Sequence, residues 1–193
     1  WKKLTLAGRV LTGTGEIVDT FGAFIDRTDP EGAVVVCADD PVLVSLARSR
    51  SVAHVVTYGM SDDADVRCHS AVTNGLGHRF QVTLPDGSTV NVSIAVPGLH
   101  NVVNATGVLA ALWRLGLDVR AGAQALAGFS GVRRRFDRVG EVGGVLVVDD
   151  YAHHPTEVRA TLGAARSAGF ERIWVIFQPH RYSRTRALGR DFG

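Results

Sequence analysis

Twice along this chain a short, mostly β-branched run leads into a proline-started helix and then into a second such run. Ala33-Val34-Val35-Val36-Cys37, bounded by Gly32 and Asp39-Asp40, offers no polar side chain to solvent. A run of that kind reads as a strand buried on both faces, as parallel strands are. Pro41 then opens a helix through Leu46, because its fixed φ suits the first helical turn. His54-Val55-Val56-Thr57-Tyr58, closed by Gly59, is the second strand. The pattern recurs with Val145-Leu146-Val147-Val148, a helix from Pro155 to about Ala168, and the apolar run Ile173-Trp174-Val175-Ile176-Phe177. Strand, helix, strand with buried strands predicts an α/β fold.

Between these units the period changes. Phe80, Val82 and Leu84 alternate with polar residues, as do Val90, Val92 and Ile94, and Pro85-Asp86-Gly87-Ser88 lies between the two runs. Turn chemistry flanked by period-two alternation predicts a β-hairpin, within a small antiparallel sheet over 66–96. Residues 100–116 predict the clearest helix, with Val103, Leu109, Leu112 and Leu115 as its apolar face and Gly116 as its stop. A shorter helix follows over 121–127. Residues 1–20, with Gly8, Gly13 and Gly15, predict no firm element. A domain boundary is placed near Ser130–Arg134, dividing 1–130 from 131–193.

Composition narrows the class of protein. The 193 residues are 46% hydrophobic and 21% charged, enough apolar material for a real core. No apolar run approaches the roughly 20 residues that cross a bilayer, and the first residues lack the apolar stretch of a secretory signal. Cys37 and Cys68 stand far apart without metal-ligand spacing, which reads as two reduced thiols in a cytoplasmic protein. The net charge of +2 conceals two arginine clusters, Arg133, Arg134, Arg135 and Arg138, then Arg181, Arg184, Arg186 and Arg190. Neither is a basic stripe interleaved with aromatics, so nucleic acid is not the expected partner.

Four segments carry chemistry. In Pro97-Gly98-Leu99-His100-Asn101-Val102-Val103-Asn104 two asparagines share one face at a helix start. Their amides suit the edge of an adenine; equally, Asn101 is suited to capping the helix. In Gly131-Val132-Arg133-Arg134-Arg135-Phe136-Asp137 the guanidinium groups are suited to clamping phosphate oxygens, or to lying solvated on the surface. Asp149-Asp150-Tyr151-Ala152-His153-His154-Pro155-Thr156-Glu157 sets two acids at the carboxyl end of an expected parallel strand, where α/β sheets bind ligands. That is a mixed polar site in preference to a metal site. Phe177-Gln178-Pro179-His180-Arg181-Tyr182-Ser183-Arg184-Thr185-Arg186 follows the next strand, with Arg181 and Arg184 spaced to bind a small carboxylate.

Taken in order, and above all in the wording DDYAHHPTE and FQPHRYSRTR, these segments resemble the Mur ligases, most closely their L-alanine-adding branch, from about residue 20 to 193. The resemblance implies the remainder of a P-loop-type central domain with a small antiparallel sheet, followed by the start of a Rossmann-like carboxyl-terminal domain. It implies ATP and Mg²⁺ as cofactors, and UDP-N-acetylmuramate and L-alanine as substrates. Asn101 and Asn104 would contact adenine, Asp150 the ribose, and Arg134 or Arg135 the phosphates. Tyr151, His153, His180, Arg181 and Arg184 would surround the amino acid, with the two arginines of that set on its carboxylate. His153, Arg134 and Arg135 would form the catalytic group.

The chain also departs from the family. Its only lysines are Lys2 and Lys3, so it contains no Gly-Lys-Ser/Thr phosphate loop, and Leu11–Glu16 is glycine-rich without the lysine. The Mg²⁺ ligands are expected outside this sequence. The chain is therefore expected to be a piece of a ligase that does not ligate by itself. The alternatives are a non-catalytic nucleotide-binding module or relic, and the ligase that recycles murein tripeptide.

Overall fold

The structure, a computed structural model, describes residues 4–6, 9–11, 14–50 and 54–192; Gly8, Gly13 and the two lysines lie outside them. It is mixed α/β, as the sequence predicts, with a five-stranded sheet in the order β3-β4-β5-β6-β7 and two separate two-stranded sheets. Two compact units are formed. One comprises 1–69, 82–90 and 105–119; the other comprises 70–81, 91–104 and 120–193.

The first unit corrects the expectation of no element before residue 20. β1 (Leu4–Leu6) pairs antiparallel with β2 (Arg9–Leu11), and α1 runs over Thr14–Ile25. The helix was hidden by Gly15 and Gly22, poor helix formers that interrupt the apolar period. Gly22 has a packing reason to lack a side chain: a Cβ there would overlap the Arg50 guanidinium. The open space lets Arg50 cross the helix and pair with Asp26 at 3.1 Å.

β3 (Ala33–Cys37) and β4 (His54–Gly59) run parallel, in register from Ala33↔His54 to Cys37↔Tyr58. Between them α2 (Pro41–Arg48) is capped by Asp40, whose carboxylate accepts from the Val42 and Leu43 N–H groups. Ile25, Val36, Leu46 and Ala47 form the core of this layer. Asp39 accepts from the Met60 and Ser61 N–H groups and closes the turn after β4. The first residues of β5 (Val66–Asn74) pair parallel to β4. Here Asp65 accepts from both the N–H and the hydroxyl of buried Thr57, at 2.8 and 2.7 Å, and returns its own N–H to that hydroxyl.

β5, β6 (Gly77–Thr83) and β7 (Thr89–Ile94) are joined by the short turns expected of antiparallel neighbours. Phe80, Val82, Leu84, Val90, Val92 and Ile94 are all buried, as their alternation predicts. α3 (Leu99–Arg114) and α4 (Val119–Ala127) fall where expected, but the buried face of α3 does not. Val102, Ala105, Thr106, Leu109 and Ala110 are buried, whereas Leu115 is 70% exposed. Small residues explain the rotation. A Cβ at Gly107 would lie 2.7 Å from the Tyr58 ring, so the helix seats its small residues there, while Leu109 stays fully buried and Leu112 half-buried.

In the second unit β8 (Asp137–Val142) and β9 (Val145–Asp149) form an antiparallel hairpin. Its turn is Gly143-Gly144, both at positive φ, as a two-residue hairpin turn requires. β9 is thus a strand, but neither parallel nor fully buried. Residues 173–177 form no strand, and Trp174 and Ile176 are fully or nearly fully exposed. An apolar run becomes a strand only against a neighbour whose backbone groups are free to pair. Among the described residues β9 pairs with β8, and 173–177 is left unpaired. α5 (Pro155–Ser167) and α6 (Tyr182–Leu188), with a 3-10 turn over Gly189–Phe192, complete the unit.

Asp65→Ala is expected to lower unfolding stability by about 2 kcal/mol, because two buried donors of Thr57 lose their acceptor. Urea unfolding checks this, with Asp86→Ala, on an exposed turn, as the near-neutral control.

Candidate active site

The start of α3 is built around Gly98. This residue is buried with φ +94, and its carbonyl accepts the Asn101 N–H at 2.9 Å. The Asn101 side chain donates to the Pro97 carbonyl at 2.7 Å, leaving its amide oxygen as a free acceptor site; exposed Asn104 lies one turn on. The His100 ring folds back over Gly98, where a Cβ would lie 2.5 Å from its Cε1. Burial pushes the His100 pKa down, Asp150 opposes that, and Arg135 and His78 reinforce it. His78 itself is buried in β6, and its Nε2 accepts the Gly98 N–H at 3.1 Å. Sequence reading passed over His78, although it sits two residues before Phe80 in the same inward register.

The arginine cluster does not lie loose on the surface. Arg134 has φ +61 and Phe136 φ +49, so the backbone twists at each, and neighbouring arginines part company. The Arg134 guanidinium carbon lies 4.6 Å from the Tyr151 ring centroid, and its Nε is 3.8 Å from Asp149. Arg135 turns to Glu157 at 3.6 Å, and Arg138 pairs with Glu141 at 3.3 Å. The Arg134 carbonyl accepts the Tyr151 N–H at 2.7 Å, tying the linker to the loop after β9.

Asp150 holds that loop. Its half-buried carboxylate accepts the Phe136 N–H at 2.9 Å, the Ala152 N–H at 2.7 Å and the Thr161 hydroxyl at 3.1 Å. Beside it Tyr151, His153 and His180 form an aromatic cluster. Ring centroids are 4.8 Å apart for Tyr151–His153 and 5.7 Å for His153–His180. His153 Nδ1 is 2.7 Å from the Tyr151 carbonyl. Arg181 stands exposed at the start of α6 with φ +68; the Arg184 side chain is outside the described residues.

Glu157 locks the end of the loop. In a capping box at the head of α5, the His154 ring accepts the Thr156 N–H and Glu157 accepts the His153 and His154 N–H groups. Burial alone would raise the Glu157 carboxyl. The His153 N–H and ring, the His154 N–H and Arg135 outweigh it and hold the pKa below its ordinary range. Among the described residues no three histidines, cysteines or acids gather as a candidate metal site. Nor is any helix among them long and apolar enough to cross a membrane.

The structure thus gathers Arg134, Arg135, Asp150, Tyr151, His153 and His180, with His100 in the electrostatic range of Arg135 and Asp150. The Mur ligase middle domain matches residues 12–112, and the Mur ligase glutamate ligase domain matches 134–193. The chain belongs to the Mur ligase family.

Within that family it is 46% identical over 172 residues to the UDP-N-acetylmuramate–L-alanine ligase of Stenotrophomonas maltophilia K279a, and 46% identical to that of Xanthomonas oryzae pv. oryzae PXO99A. Each alignment covers 86% of this chain and 36% of the relative, so the chain spans about a third of the length of the relatives it matches. The crystal structure of the UDP-N-acetylmuramate-alanine ligase of Thermotoga maritima superposes with a TM-score of 0.74 at 31% identity, covering 91% of this chain and 39% of that one. A murein peptide ligase from Psychrobacter arcticus follows at 0.63 and 28%, covering 86% of this chain and 35% of its own.

The stability contributed by the Glu157 lock is present above the ordinary glutamate range and is lost as pH falls through the lowered folded value. The melting temperature is therefore expected to drop below about pH 4.5, and to drop less in Glu157→Gln. Thermal melts of both proteins across that window check it.

Proposed function

We propose that this chain supplies nucleotide- and amino-acid-binding parts of an ATP-dependent ligase that joins L-alanine to UDP-N-acetylmuramate in the cytoplasm. The observation that carries the reading is the grouping of three family segments in one compact unit: the asparagine-bearing start of α3, the arginine linker, and the loop after β9. Residues 1–130 would belong to the ATP-binding central domain and 131–193 to the amino-acid-binding domain.

The chemistry asked of the residues follows from their atoms. The free amide oxygen of Asn101, with Asn104, is suited to accept the exocyclic amine of adenine. Asp150 spends three of its roughly four acceptor positions on the protein and keeps capacity for a ribose hydroxyl. Arg134 and Arg135 would face the phosphates. Tyr151, His153 and His180 would wall the alanine site, with Arg181 and Arg184 on its carboxylate. In the family reaction the sugar's lactyl carboxylate takes the γ-phosphoryl group. The alanine amine then attacks the acyl carbon, loses a proton and expels phosphate. Negative charge builds on the migrating phosphoryl group and then on the carbonyl oxygen, so fixed cations lower both barriers. Mg²⁺ would be held by residues outside this set.

The absence of Gly-Lys-Ser/Thr from the 193 residues favours a second reading, a nucleotide-binding module without turnover. The two separate in a coupled assay with UDP-N-acetylmuramate, L-alanine and ATP. The purified chain is expected to form no product, whereas polypeptide captured from source cells with an antibody to 130–193 is expected to ligate. Its Arg181→Ala form should need about tenfold more alanine with the ATP requirement nearly unchanged. An unchanged alanine requirement removes Arg181 from the site, and no ligation by the captured polypeptide favours the module.

A further inference from the structure

His78 is an anomaly in its layer. It is 5% exposed, shares an inward register with Phe80 and Val82, and follows Gly77, where a Cβ would overlap the Ile94 carbonyl. Burying an imidazole in such a place costs free energy unless its nitrogens are paired. Nδ1 faces the Val72 backbone without completing a hydrogen bond. Nε2 is the atom that is satisfied, and its partner is the Gly98 N–H.

That bond is the first link of a chain. The Gly98 carbonyl takes the Asn101 N–H, and the Pro97 carbonyl takes the Asn101 side-chain amine. Fixing Gly98 therefore fixes both groups that orient Asn101, and leaves its amide oxygen as the outward acceptor. Gly98 sits at φ +94, a conformation that a glycine samples freely and that needs an external partner to become unique.

We propose that His78 is the positioning residue of a purine-recognising turn: by accepting the Gly98 N–H it holds the Asn101 amide oxygen toward the exocyclic amine of an adenine nucleotide. The inference rests on the reading of Asn101 and Asn104 as adenine contacts. It requires the neutral imidazole with its proton on Nδ1, since a protonated ring would set Nε2–H against the Gly98 N–H. Burial favours the neutral ring. His100 on α3 lies within electrostatic range of His78, Asp150 and Arg135.

The test is ATP binding to the 193-residue chain by equilibrium dialysis at about pH 7.5. His78→Leu is expected to bind about tenfold more weakly, and His78→Gln, which restores an acceptor, within about threefold of the unchanged chain. If His78→Leu binds as the unchanged chain does while Asn101→Ala binds weakly, positioning by His78 is overturned and the adenine reading stands. If Asn101→Ala binds normally, or the unchanged chain binds no ATP, the adenine reading fails and this inference with it. Should His78→Leu show no cooperative melt, the glutamine variant decides, and an affinity more than about tenfold below that of the unchanged chain overturns the proposal.

Discussion

The carboxylate of Asp150 is the hub of the second unit. It accepts from Phe136 on the linker, from Ala152 in its own loop and from Thr161 on α5. Hydrogen bonds to a charged group contribute roughly 1.5–3 kcal/mol each, whereas a non-glycine residue in the left-handed region costs roughly 1–2 kcal/mol. Phe136 at φ +49 is therefore held with free energy to spare, and Arg134 at φ +61 is held by its own bonds to Asp137 and Tyr151. Without the carboxylate the turn at Phe136 would lose the bond that holds it.

From that hub the charges sort themselves. Arg134 stacks on Tyr151 and leans on Asp149, and Arg135 reaches Glu157. Glu157 in turn takes two backbone N–H groups and so fixes His153 and His154. His153 then meets Tyr151 at a tilt and His180 edge to face. A single loop of nine residues, 149–157, thereby orients acidic, basic and aromatic groups toward one another through backbone bonds more than through side-chain pairs.

Much of this was legible in sequence where period and turn chemistry speak for themselves. The runs at 33–37 and 54–58, the hairpin marked by Asp86-Gly87, and the Pro155 helix all depend on local preferences that tertiary packing reinforced. What failed had non-local causes. Gly22 is explained only by Arg50 lying across it, and the face of α3 only by Tyr58 against Gly107. Residues 173–177 have the composition of a buried strand and, among the described residues, no strand paired with them. The site's residues were readable as words, DDYAHHPTE and FQPHRYSRTR. The stacking of Arg134 on Tyr151 was not, because it depends on a positive φ at an arginine that no propensity would suggest. His78 was readable in principle, as a polar residue at an inward position of a clear alternation.

The strength of the arginine contacts bears on what they can do. Arg134 and Arg135 are each more than half exposed, and their ion pairs span 3.8 and 3.6 Å. Pairs of that kind contribute roughly 0–1 kcal/mol, little more than is needed to choose a rotamer. A phosphate oxygen pair offers a guanidinium two short charge-assisted bonds, roughly twice as strong as neutral ones. On the proposed reading the acids at Asp149 and Glu157 keep the two arginines extended in different directions at small cost. An arriving polyphosphate can then displace them without first breaking a strong bond. Arginines locked into buried, bidentate carboxylate pairs would have been better ordered and far harder to recruit.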